Sequence, residues 1–228
     1  MLRVGRWLAD AEVVTYDRRG YAGSSGAPLS ATLDGHVEDL LSVLDGRRAV
    51  ALGHSFGGAV VLAAAASRSD LIPAAVVWEP PQPWRPDRPG ATAGAAALAQ
   101  SDPAEAAELF MRRMVGDELW ARLPERTRRL RRSEGPALQA DLRALHPGPV
   151  WDSAQVSVPV LVGCGDASPD WQRRACADLA AALPAGRLRS VPGAGHGAHL
   201  SHPRRLAALL CEAAALGTAA SVGATFPS

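Results

Sequence analysis

The sequence predicts an α/β protein: a mostly parallel sheet flanked by helices, with an inserted helical cap. Three observations predict it. Short apolar or β-branched runs alternate with longer stretches of helical periodicity, which implies parallel βαβ units. The hexapeptide Gly53-His54-Ser55-Phe56-Gly57-Gly58 joins one such run to an alanine-rich stretch, giving strand, tight turn and helix in that order. Between 80 and 150 the alternation stops and helical propensity takes over.

In chain order, residues 1–10 set Leu2, Trp7 and Leu8 among arginines and read as an amphipathic helix or its remnant. Glu12-Val13-Val14-Thr15-Tyr16 is a predicted strand, stopped by Asp17-Arg18-Arg19-Gly20. From Thr32 to Leu44, apolar residues at 33, 37, 40, 41 and 44 give a helix with Ser30 or Thr32 as cap. Arg48–Leu52 and Ile72–Trp78 are predicted strands, and Ala59–Ala66 a helix between them. Prolines crowd 80–90 and exclude regular interior structure there. Ala91–Leu145 is largely helical in propensity. Val158–Val162 resumes the strand pattern, followed by Gly163-Cys164-Gly165-Asp166. A helix over 170–183, a strand over 187–191, a Gly/His loop and a helix over 203–216 complete the order. The division expected is a core of 1–79 and 151–216, a cap of 80–150 and a flexible tail of 217–228.

Composition narrows the function classes. With 47% hydrophobic and 21% charged residues the chain is globular, and a net charge of +1 supplies no field for nucleic acid or an acidic membrane surface. All of its 24 basic residues are arginine. The three cysteines, Cys164, Cys176 and Cys211, have no metal-type spacing; their odd number fits a reducing, cytoplasmic setting. No run is long enough for a membrane span, and charges at 3, 6, 10 and 12 interrupt any secretory signal.

The glycine-flanked Ser55 is the chemical focus. A serine hydroxyl needs a neighbouring base, and that base needs a carboxylate to hold its tautomer. His196 lies in the loop Gly193-Ala194-Gly195-His196-Gly197-Ala198-His199 after the last predicted strand, and Asp166 follows the strand before it. The three residues therefore fall at C-terminal strand ends, where such sheets bind ligands. Glu79, at the end of the strand after the Ser55 helix, is the alternative acid.

Asp17-Arg18-Arg19-Gly20-Tyr21, the Ser55 hexapeptide, Pro159–Gly163 with Asp166, and Gly193–His196 with His202-Pro203 together resemble the α/β-hydrolase superfamily, in particular its small bacterial esterase-like members. The resemblance implies a serine hydrolase that cleaves a small ester, lactone or thioester. Ser55 is then the nucleophile, His196 the base, Asp166 its orienting acid and Phe56 N–H an oxyanion donor. Neither cofactor nor metal is implied, and the partner is a small-molecule substrate. In such proteins a second oxyanion donor comes from a loop after an earlier strand, commonly opening His-Gly; this sequence opens in what resembles the helix just beyond. Without the intervening strand, the 12–16 strand and the Ser55 strand either stand about 10 Å apart or pair directly, with the helix between them forced into a new crossover. The expectation is that Met1 is not the natural start and that a segment of about 20–35 residues, ending in strand, loop and helix start, lies upstream; the rival expectation is a degenerate, inactive descendant.

Other candidates carry blander readings. His54 should point away from Ser55, His199 lines the pocket or packs, His202 is structural at a helix start, and His36 and His146 belong to surface or cap. The arginines at 122, 126, 128, 129, 131 and 132 are interleaved with acids and read as a solvated helical face. Trp84, Trp120 and Trp151 either form an acyl pocket or pack the cap. Two further functions share the motif set: a non-catalytic ligand-binding or sensor protein, and an acyltransferase on the same triad. The sequence assigns no substrate and no oligomeric state.

Overall fold

The computed structural model describes residues 1–9, 11–145 and 148–223. Helices α1 (Leu2–Gly5) and α2 (Leu33–Leu44) precede the first strand, β1 (Ala51–His54). Helix α3 (Phe56–Ser67) and β2 (Ala75–Trp78) follow, then five helices: α4 (Ala93–Leu98), α5 (Pro103–Val115), α6 (Asp117–Arg122), α7 (Glu125–Ser133) and α8 (Gly135–Ala144). The chain closes with β3 (Val160–Gly165), α9 (Asp170–Ala182), β4 (Gly186–Val191), α10 (Ala198–Ser201) and α11 (Pro203–Gly223).

The strands form one parallel sheet in the order β1-β2-β3-β4. Its two inner strands, Ala75-Val76-Val77-Trp78 and Val160 to Gly165, are buried throughout, as uninterrupted apolar runs with helices on both faces should be. Val76, Trp78 and Leu161 pack with Val4 of α1 and with Leu206, Leu209 and Ala213 of α11 into the main core. This burial is the largest favourable term, roughly 1.5–3 kcal/mol for each large apolar side chain.

Two compact units result. One comprises 1–16, 37–82 and 149–228 and holds the sheet; the other comprises 17–36 and 83–148 and holds α4 to α8. The expected 80–150 cap thus has a companion that sequence did not assign to it, the segment 17–36. The physical reason is Asp141 of α8, which is 4% exposed and binds that segment three ways. It accepts hydrogen bonds from Arg18 Nη1 and Tyr21 Oη, each 2.6 Å, and lies 3.2 Å from His36 Nε2. His36 is therefore buried beside Asp141, and not at the surface.

Three expectations about elements are corrected. Residues 12–16 do not join the sheet among the described residues; Val13 and Val14 are exposed, and β1 is the sheet edge. Strand propensity is realised only against a partner strand, and among the described residues no strand pairs with this segment. The helix expected over 1–10 is confined to Leu2–Gly5, anchored by buried Val4. Residues 217–223, expected in a flexible tail, continue α11. His146 and 224–228 lie outside the described residues.

Candidate active site

Strand β1 delivers Ser55 to the C-terminal end of the sheet, where the chain turns straight into α3 as a tight elbow. The turn is strained: Ser55 has φ 51° and ψ −124°, a region that side chains avoid. Its N–H is tied to Trp78 O at 2.8 Å, and Gly58 N–H returns to Ser55 O at 2.7 Å. Gly53 makes the turn possible, because a Cβ there would lie 2.3 Å from Gly57 O. Gly58 is less tightly placed, an added Cβ lying 3.0 Å from Pro80 Cβ, whereas a Cβ on Gly57 would meet nothing within 4 Å. The close approach therefore rests on the first and last glycines of the hexapeptide. Phe56 opens α3, so its N–H lies at the positive end of that helix.

Glu79 is the second strained residue, with φ 44° directly after β2, and it is 1% exposed. Its Oε2 accepts from His196 Nδ1 at 2.9 Å. Its Oε1 accepts from Ser168 Oγ, from Gly165 N–H at 3.0 Å and, more weakly, from Cys164 Sγ at 3.5 Å. Burial works to raise the Glu79 carboxyl, but the hydrogen bonds from His196, Ser168 and Gly165 outweigh it and hold the group below the usual carboxylate range. An ionised carboxylate only accepts, so His196 Nδ1 carries the hydrogen and, in the neutral ring, Nε2 is left as the basic nitrogen.

The expected pairing of Asp166 with His196 is not made. Asp166 is exposed one residue beyond β3, and its Oδ1 accepts from Gly193 N–H at 2.7 Å. It braces the start of the histidine loop, three residues short of the imidazole. Gly165 allows that loop to lie against the strand end, since a Cβ there would be 2.0 Å from Ala194 O.

The His196 loop is also held from the serine side. His54 Nε2–H donates to His196 O at 2.7 Å, with the rings 4.7 Å apart, and the His199 ring lies 4.3 Å from His54. Burial, then the neighbouring His196 and His199, lower His54 to about 3. Burial is also the main cause that lowers His199 to about 4. Both rings are neutral over the ordinary pH range. Sequence reasoning missed Ser168 and the His54 contact; neither has a spacing signal, because each depends on where a distant loop returns.

Among the described residues no group of three or more His, Cys, Asp or Glu is placed to hold a metal ion, and no helix is long and apolar enough to cross a membrane. The arginines at 122, 128, 129, 131 and 132 each pair with a glutamate.

Residues 3–209 match the profile of the alpha/beta hydrolase family. A hydrolase from Pseudomonas aeruginosa is 26% identical with a TM-score of 0.67, covering 86% of this chain and 77% of its own. An alpha/beta hydrolase from Sphaerobacter thermophilus is 28% identical with a TM-score of 0.60, covering 92% and 85%. The enol-lactonase from Burkholderia xenovorans, 21% identical with a TM-score of 0.64 and coverage of 86% and 78%, shares the fold. No curated protein matches. With most of its length matched and its sheet, elbow and histidine loop in the family's order, the chain belongs to the alpha/beta hydrolase family.

Proposed function

We propose that the protein is a serine hydrolase acting on a small ester, lactone or thioester, with Ser55 as nucleophile, His196 as base and Glu79 as the carboxylate that orients His196. The observation that carries this reading is the buried, fully hydrogen-bonded Glu79 on His196 Nδ1, in a loop bound to the residue next to the strained Ser55. Enol-lactonase chemistry in a structural neighbour is consistent with a lactone among the substrates.

The steps follow from the residues. Ser55 Oγ attacks the acyl carbonyl carbon while His196 Nε2 takes its proton, and the Glu79 carboxylate stabilises the imidazolium that forms. The carbonyl oxygen becomes an oxyanion facing the N-terminus of α3, where Phe56 N–H donates to it. His196 then protonates the departing alkoxide or thiolate. Water attacks the acyl-serine by the reverse proton path and restores Ser55.

The test is hydrolysis of p-nitrophenyl acetate and butyrate, with fluorophosphonate labelling mapped by mass spectrometry. Labelling at Ser55, and turnover abolished by Ser55→Ala, are expected. A folded protein that binds these esters but neither labels nor turns over would sink the catalytic reading in favour of ligand binding.

A further inference from the structure

We infer that His54 is a positioning residue for the hydrolytic reaction: its Nε2–H holds the His196 loop over the elbow through the His196 carbonyl. The inference rests on the serine-hydrolase reading above and adds a residue with no part in the proton transfers.

The geometry is direct. The bond is 2.7 Å long and joins residues 142 apart in sequence. A carbonyl oxygen only accepts, so the tautomer of His54 is set: Nε2 carries the hydrogen. His54 is the last residue of β1 and Ser55 follows it, so the donor is fixed to the same strained turn as the nucleophile. His196 is thus gripped at two points, its ring nitrogen by Glu79 and its backbone by His54.

The loop needs such a grip. It contains Gly193, Gly195 and Gly197, and Gly193 has φ 70°. Glycines have the widest backbone freedom, so without anchors the loop samples positions that carry Nε2 away from Ser55. Asp166 anchors the loop's first residue and Ala194 O accepts from Ala167 N–H at 3.0 Å. Of these, the His54 bond alone acts on His196's own backbone.

Proton-transfer geometry is steep in distance, and a misplacement of about 1 Å costs up to about 10²-fold in rate. Because His54 touches neither the departing group nor the oxyanion in this scheme, its loss should appear in kcat and not in KM.

Gln and Met supply the test, being close to isosteric and differing in a terminal donor. Both are introduced at His54, and p-nitrophenyl butyrate turnover and the fluorophosphonate labelling rate are measured on folded protein. His54→Gln is expected to stay within about threefold of the parent in kcat, and His54→Met to lose about 10- to 100-fold with KM within threefold. If His54→Met does not fold, His54→Leu is read in its place against His54→Gln. Equal rates for the donor and non-donor variants, with Ser55→Ala inactive, overturn the positioning role alone. A parent whose activity Ser55→Ala leaves unchanged overturns the serine reading, and the positioning role with it.

Discussion

Glu79 and Asp166 are both carboxylates just past the end of a strand, and only one of them serves His196. Glu79 has the longer side chain and a left-handed backbone that turns it inward, where four donors converge on its two oxygens. Asp166 turns out to solvent. Replacing Glu79 with Gln is expected to lower kcat by about 10²–10⁴, because the amide favours the wrong tautomer of His196. Asp166→Asn should cost less than about tenfold, through loosening of Gly193. Stopped assays of both variants on one ester decide this, and an Asp166 variant as impaired as the Glu79 one would reverse the assignment. The imidazoles of His54 and His199 carry a pH prediction. Both have folded values, about 3 and about 4, below the ordinary 6.5, so the unfolded chain binds more protons between those values and 6.5. Their stabilisation is complete above pH 6.5 and is lost as pH falls toward 4 and then 3. Thermal unfolding between pH 7.5 and 4.5 should show a falling Tm, and His54→Gln should flatten the slope; an unchanged slope would refute the assignment.

At the scale of elements, the elbow is a steric construction. Gly53→Ala would push a methyl into the Gly57 carbonyl and is expected to destabilise by about 1–3 kcal/mol. In a chain of this length that lowers Tm by roughly 3–10 °C. Gly57→Ala meets open space and should change Tm by no more than roughly 2 °C. Calorimetry on the two variants checks the contrast, and similar losses in both would contradict the packing described. The contrast also shows what a sequence pattern hides. Gly53 and Gly57 are equivalent in the Gly-x-Ser-x-Gly spacing, yet only the first stands against another backbone. The 12–16 segment carries the opposite lesson: its β-branched residues read as a strand, but without a neighbour the propensity has nothing to act on.

At the scale of the whole molecule, the unit containing α4 to α8 is tied to 17–36 by two buried carboxylates, Asp141 and Glu134, the latter accepting from Ala22 N–H at 3.2 Å. Asp141 faces Arg18, Tyr21 and His36, and the Arg18 guanidinium also lies 4.7 Å over the Tyr21 ring. Burial and then the Asp141 charge push the Tyr21 phenol up, so it stays a donor at any ordinary pH. Removing Asp141 leaves the part-buried Arg18 guanidinium without its counter-charge and the Tyr21 hydroxyl without its acceptor. Asp141→Ala should therefore cost about 3–5 kcal/mol, whereas an exposed pair such as Arg122–Glu118 is worth about 0–1 kcal/mol. Urea unfolding of Asp141→Ala and Glu118→Ala measures both, and an Asp141 variant within 1 kcal/mol of the parent would remove this network from the account of stability.

By itself the sequence determined the α/β class, four of the five strands it predicts, the elbow at Ser55, the histidine loop and the helical character of 91–145. Each is written locally, in periodicity, in a glycine at a tight turn or in proline placement, and local sterics act before the chain is folded. The tertiary structure decided which carboxylate meets His196, where His54 and Ser168 make their bonds, that 17–36 packs with 83–148, and that 12–16 stays outside the sheet. Those outcomes depend on the distance between residues far apart in sequence, and on whether a partner strand is present. Neither quantity has a local signature: two acids at equivalent strand ends look alike until the folded backbone turns one inward and the other to water.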